Sequence, residues 1–331
     1  MQIIRKENNY RFYIILIWLL GFFLIPLCLY NDKSADFIIK LFDKSTGSKL
    51  HSFKQYSKLI DRSQKMISGP KEEIIFIVGS SDLRDSFHTQ KVEDELKNYS
   101  LYNLTSSSQT LVESKLLITK LISREVKPRK IILGLNDWRI TSPKNYGLIG
   151  NKIIHHSYII WNSRFFNWNE KITSPISNTA IFTKFYYDSF RDYIKGIGRK
   201  SLPNKLNLSA GQTLDEKIKQ SCMENKLVKN NFYKSKYNEN IQILDQIFSI
   251  AEEIDSELVL LTLPSISCTG KIKSSLDLTR KELLKKNYEL ISLTNNIEEN
   301  QISINSFKDF KHFTKEFSEK LIGNYIRLIR L

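Results

Sequence analysis

The chain has little cysteine, proline or histidine: three, seven and five of them in 331 residues. No two cysteines stand in a CxxC spacing, which removes the usual zinc-cluster patterns. With 12 glycines and seven prolines it is neither collagen-like nor a low-complexity linker. There is no internal repeat. No helix-turn-helix, zinc-finger or RNA-recognition signature accompanies the formal charge of +15, so no nucleic-acid partner is expected. Adjacent His155 and His156 point different ways and lack carboxylates at ligand spacing, so no metal is expected. No cofactor motif is present either. Cys222 and Cys268 stand open to pairing in an oxidising compartment or to remaining free thiols.

What is present starts with composition. Hydrophobic residues make up 41% and charged residues 26%, enough for a sizeable core. One long apolar run exists, Phe12 to Tyr30, FYIILIWLLGFFLIPLCLY, and it holds no charge. As a helix it would span roughly 28 Å at about 1.5 Å per residue, the thickness of a hydrocarbon core. Arg5, Lys6 and Arg11 precede it, so the positive-inside rule places residues 1–11 in the cytoplasm and everything after Tyr30 outside. The exit Pro26-Leu27-Cys28-Leu29-Tyr30 lacks the small residues of a cleavage site, which favours an uncleaved anchor over a signal peptide. Residues 31–70 are polar and basic and read as a juxtamembrane stalk closed by Gly69-Pro70.

From residue 71 onwards strands and helices alternate. Ile74–Val78, Lys130–Leu133 and Leu258–Leu263 are short, continuous apolar runs, the pattern of strands buried on both faces. Leu101–Leu104 and Ile302–Ile304 are weaker strand candidates. Helical periodicity covers Thr110–Ile122, Asn240–Ile254, Leu276–Ile297 and Thr314–Arg330. The alternation predicts an α/β domain with a parallel sheet and helices on both faces. Residues 139–237 break the rhythm and are rich in aromatic and basic residues, including Trp161 and Trp168. They read as an inserted cap whose aromatics either form its core or stack on sugars.

Open parallel sheets carry their sites at the carboxyl ends of strands. After the first strand come Gly79-Ser80-Ser81-Asp82-Leu83. A serine there is placed for nucleophilic attack, or simply caps the next helix. After the second come Asn103 to Thr110, a small-residue loop that would serve equally as a helix cap. After the third come Gly134-Leu135-Asn136-Asp137-Trp138, where a side-chain amide can donate to a developing oxyanion. Near the end comes Asp309-Phe310-Lys311-His312. A histidine there can serve as base, with the aspartate fixing its tautomer.

The order of these blocks, GSS, a small-residue loop after an asparagine, GLND and DFKH, resembles the SGNH (GDSL-like) hydrolase superfamily over Ile74 to Leu331, less the insertion. The GSSDL form is similar to the first block of membrane-anchored relatives. The resemblance implies a three-layer, flavodoxin-like domain over 71–331. By position it implies Ser81 as nucleophile, Asp309 and His312 as acid and base, and Ser81, Ser108 and Asn136 as oxyanion donors. Gly79 and Gly134 would support the turns. Two departures stand out: Ser80 replaces the usual aspartate, and Ser108 replaces the usual glycine. The implied function is esterase or O-acyltransferase chemistry on a cell-envelope glycan or polymer. Its partners would be an acyl donor, the polymer acceptor, membrane lipid and a membrane acyltransferase that supplies the donor. The two departures motivate the rival expectation, an inactive SGNH-like module that binds glycan or scaffolds an assembly.

Overall fold

The computed structural model describes most of residues 73–141 and 234–330, apart from scattered positions and 294–301, together with parts of 157–176, Thr213 and Glu216. The apolar run 12–30, the stalk, all three cysteines, the histidine pair, Ser108 and much of the insertion lie outside the described residues. No described helix is long and apolar enough to cross a membrane. The chain divides into two compact units. One comprises Met1–Arg62 and Gly147–Leu202, the other Ser63–Tyr146 and Pro203–Leu331.

The second unit is built on a five-stranded parallel sheet. Its strands are β1 (Glu73–Val78), β2 (Tyr99–Asn103), β3 (Lys130–Leu135), β4 (Glu257–Thr262) and, after a small hairpin of β5 (Pro264–Ile266) and β6 (Ile272–Ser274), β7 (Leu290–Ser292). The order is β2-β1-β3-β4-β7, so the sheet starts in its middle and winds outward both ways. That is the doubly wound, flavodoxin-like order, and its switch point lies between β1 and β3. Ile77 pairs with Ile132, and Ile132 with Val259.

Both faces of the sheet are apolar because both are covered. Ile75, Ile77, Ile132, Val259 and Leu261 share one cluster with α1 (Ser81–Ser86), α2 (Thr89–Glu95) and the two C-terminal helices. The alternate residues Phe76, Ile131, Leu133 and Leu260 point the opposite way and are also fully buried. On that side α5 (Lys234–Glu253) packs on β4 and against α3 (Leu111–Ile122) and α4 (Asp137–Thr141). Each Leu, Ile or Phe so buried contributes about 1.5–3 kcal/mol, before the opposing chain entropy.

Local sequence sets the helix ends. Thr110 caps α3: its hydroxyl accepts from Glu113 N at 3.2 Å while the Glu113 carboxylate accepts from Thr110 N at 2.8 Å. Helix α5 stops where Asp255 turns left-handed, φ 55, and Ser256 N returns to Ala251 O.

The fifth sheet strand is not the one the sequence suggests. Ile302–Ile304 leads into a 3₁₀ turn, Ile304–Ser306, whereas Leu290 and Ile291 pair with Leu260 and Leu261. The helix expected over Leu276–Ile297 shrinks to α6 (Arg280–Leu284). The expected final helix divides at Leu321 into α7 (Lys315–Lys320) and α8 (Ile322–Arg330).

In the first unit Ile160 and Phe166 are buried, but the turns around residues 168–176 are inverted in polarity. Glu170 and Ser174 are buried, while Trp168, Ile172 and Ile176 on the four-residue spacing are exposed. Trp161 and Trp168 meet edge to face at 5.6 Å.

Candidate active site

Every element of the site follows a sheet strand or the last loop. Ser80 and Ser81 leave β1 and open α1. Leu83, one turn on, rests against the ends of both β1 and β3. A Cβ on Gly79 would lie 3.0 Å from Leu83 Cδ2, and one on Gly134 would lie 2.8 Å from it. The two glycines are thus required by the close approach of Leu83, not by a left-handed backbone, since neither has a positive φ. Their absent side chains let the turn that carries Ser81 settle onto the switch point.

The last loop carries the acid–base pair. Phe307 and Phe313 form an antiparallel bridge with rings 4.8 Å apart, and Lys308 N donates to His312 O at 2.9 Å. The loop between them is pinched at its base. Asp309 divides its two oxygens. Oδ1 accepts from the N–H groups of Lys311 and His312, at 3.0 and 2.9 Å, and builds the turn. Oδ2 lies 2.7 Å from His312 Nδ1. Lys308 Nζ then reaches Asp85 Oδ2 on α1 at 2.8 Å, and Ser318 Oγ donates to Asp85 O. The loop is thereby held against the helix that begins at Ser81.

The result is a relay. His312 Nε2 lies 2.8 Å from Ser81 Oγ. Burial alone would raise the Asp309 carboxyl. The His312 hydrogen bond and charge, with the two backbone N–H donors, outweigh it and hold the pKa at about 2. Asp309 is therefore an acceptor at ordinary pH. That assigns the proton to His312 Nδ1 and leaves Nε2 to accept from the Ser81 hydroxyl. A hydroxyl that donates to an imidazole held in this way is equipped for nucleophilic attack with general-base assistance.

No protein-family model and no curated protein matches the chain. Among solved structures, a member of the lipolytic protein G-D-S-L family from Veillonella parvula DSM 2008 is similar at 10% identity. Its TM-score is 0.37, over 78% of this chain and 100% of that one.

Asn136 ends β3 beside this relay, but its amide is not open to it. Nδ2 donates to Asp82 Oδ2 at 3.0 Å and to Ser80 Oγ at 3.3 Å, and Oδ1 accepts from Arg139 N at 2.9 Å. The small-residue loop after β2 is tied to the same corner, with Ser106 N donating to Gly79 O at 3.0 Å. Gln109 closes it through Nε2 to Leu104 O at 2.8 Å.

Two residues that sequence reasoning passed over organise the floor of the site. Arg139 is fully buried. Its guanidinium donates to the carbonyls of Gln109, Thr110 and Gly134 and to Ser114 Oγ, so one side chain joins the ends of the second and third blocks. Burial lowers its pKa to about 10, and the charges of Asp82 and Glu113 offset part of that cost. Asp82 is the second, 6% exposed although it follows Ser81 directly. Nothing in the sequence marks either side chain as pointing inward.

Proposed function

We propose that the chain is a serine-dependent acyl-ester enzyme of SGNH type, an esterase or O-acyltransferase acting on a cell-envelope glycan or polymer. The observation that carries this reading is the continuous relay from Ser81 Oγ through His312 to Asp309. Ser81 Oγ attacks the ester carbonyl while its proton passes to His312 Nε2. The carbonyl oxygen takes the negative charge, which the N–H of Ser81, the Asn136 amide and, on the family resemblance, Ser108 would stabilise. Collapse expels the alcohol, which takes the proton back from His312, and leaves Ser81 acylated. The second half repeats the steps with a new hydroxyl. Water gives an esterase, and a sugar hydroxyl gives an O-acyltransferase. Asp309, held anionic, keeps the ring oriented and stabilises the imidazolium that forms in both halves.

The envelope substrate rests on the sequence. The uncharged run 12–30, preceded by basic residues, would tether the site outside the cytoplasmic membrane, near such polymers and near any membrane acyltransferase that delivers the donor. The exposed Trp161 and Trp168 suit sugar stacking. The rival reading is an inactive glycan-binding module. It draws on the Asn136 amide, whose nitrogen already donates to Asp82 and Ser80.

The test uses the full chain in detergent with 4-nitrophenyl acetate, alone and with an added oligosaccharide. Release of nitrophenol that vanishes in Ser81→Ala supports the reading. Acetyl groups on the oligosaccharide select transfer over hydrolysis. Equal release by wild type and Ser81→Ala would remove the assignment.

A further inference from the structure

Ser81 is flanked by two residues that share one partner. Ser80 Oγ and Asp82 Oδ2 both accept from Asn136 Nδ2, at 3.3 and 3.0 Å, from the carboxyl end of the neighbouring parallel strand β3. The same Ser80 hydroxyl donates to Asp82 Oδ1. Asn136 Oδ1 is held in turn by Arg139 N. The amide of Asn136 thus has partners at both its nitrogen and its oxygen, in a pocket where Ser80, Asp82 and Asn136 are 2%, 6% and 8% exposed.

Helix capping does not account for this. Ser80 occupies the N-cap of α1, where a serine hydroxyl ordinarily accepts from a backbone N–H. Here its side chain makes no cap hydrogen bond and turns to Asp82 and Asn136 instead. Nor is Asp82 an ordinary first-turn acid facing water. It is buried and close enough to the buried Arg139 for its charge to act there. A buried carboxylate is costly unless its oxygens are satisfied, so the pair has something specific to hold.

We propose that Asp82 is a positioning residue for Asn136. It anchors one amide hydrogen, which sets the plane of the group. The other hydrogen rests on the weaker acceptor, Ser80 Oγ, until an oxyanion on Ser81 replaces it. This rests on the acyl-transfer reading above, and it assigns Asp82 no contact with the substrate. The longer bond to Ser80 is the one the oxyanion displaces, because a neutral hydroxyl is a poorer acceptor than a carboxylate. The bond to Asp82 persists and spares the amide any reorganisation as charge develops.

The experiment is a double-mutant cycle on the full chain, with 4-nitrophenyl acetate as substrate and a fluorophosphonate as covalent probe. Asn136→Ala lowers kcat by on the order of 10²-fold, the usual loss for one oxyanion donor. Asp82→Ala lowers kcat by on the order of 10-fold or more at nearly constant KM, because the amide is then free to rotate. Asp82→Asn recovers most of that loss, since its carbonyl oxygen still accepts from Asn136. In the Asn136→Ala background neither Asp82 variant costs more than about 3-fold, because the residue to be positioned is gone. Should Asp82→Ala not fold, Asp82→Leu in both backgrounds supplies the same cycle. Wild-type kcat in folded Asp82→Ala, or losses that multiply in the double variant, would overturn the inference. So would wild-type labelling in Asn136→Ala, which leaves the Ser81 relay standing. A wild-type protein that takes no probe at Ser81 removes the acyl-transfer reading and this inference together.

Discussion

Ser81 Oγ and His312 Nε2 stand 2.8 Å apart although 231 residues separate them in the chain. The approach is built from both sides. Gly79 and Gly134 let α1 settle onto the sheet, and the Lys308–Asp85 pair and Ser318 hold the histidine loop to the same helix. The first expectation concerns the relay itself. Asp309→Asn and His312→Gln should each slow acyl release by on the order of 10³–10⁴-fold, while Ser81→Ala leaves no covalent adduct. Burst and steady-state rates with 4-nitrophenyl acetate check this.

The pH behaviour follows from Asp309. Its pKa is depressed to about 2 from the ordinary 3.8, so it stays charged throughout the range in which esterases are assayed. Asp309 should therefore add no inflection to the rate profile between pH 3 and 5. The stability effect has the sign of a lowered acid. The contribution of Asp309 is complete above about pH 4 and disappears as pH falls through about 2. Asp309→Asn should be less stable than wild type at pH 7 and converge with it near pH 2, measured by urea midpoints.

Gly134→Ala should disturb the site without touching a reacting group. The new Cβ would meet Leu83 Cδ2 at 2.8 Å and Leu83 Cβ at 3.3 Å. Overpacking of this kind costs about 1–3 kcal/mol and must push the first turn of α1, with Ser81, off the strand end. Leu83→Ala costs stability through its cavity but removes the clash, so the two losses should fall short of additivity when combined. Melting temperatures of the four proteins test it, and full additivity would contradict the close approach.

Arg139→Met removes the donors shared by Gln109, Thr110, Gly134 and Ser114. Thr110 O keeps the N–H and hydroxyl of Ser114, but each acceptor left buried without a partner costs about 1–3 kcal/mol. A loss of at least about 3 kcal/mol is expected, with Arg139→Lys intermediate, because an ammonium cannot span the same fork. Unfolding in urea reads both, and a loss under about 1 kcal/mol would show that Arg139 does not hold the blocks together.

How much of this was legible follows from particular residues. β1, β3 and β4 were plain because a strand buried on both faces is apolar at every position. β2 is partly exposed, and its apolar signal is displaced from the observed Tyr99–Asn103. β7 was missed because Leu290–Ser292 is too short to show a period, and the apolar residues around it continue a helical spacing. Ser81, Asn136, Asp309 and His312 could be named because each follows a strand or ends the last loop. Asp82 and Arg139 could not. A charge in the first turn of a helix reads as solvated, and only the packed structure shows that it faces Asn136 or bridges two loops. The sequence offers Gly79 as support for a turn, whereas in the structure it is Leu83 that crowds the position of a side chain there.

The central claim is that Ser81 is an activated nucleophile. The most direct measurement is intact mass after treatment of the full chain with a fluorophosphonate, followed by peptide mapping. A single adduct on Ser81, absent in Ser81→Ala and strongly slowed in His312→Gln, is the predicted result. A folded wild-type protein that takes up no probe, or that carries it on a residue other than Ser81, would contradict the account.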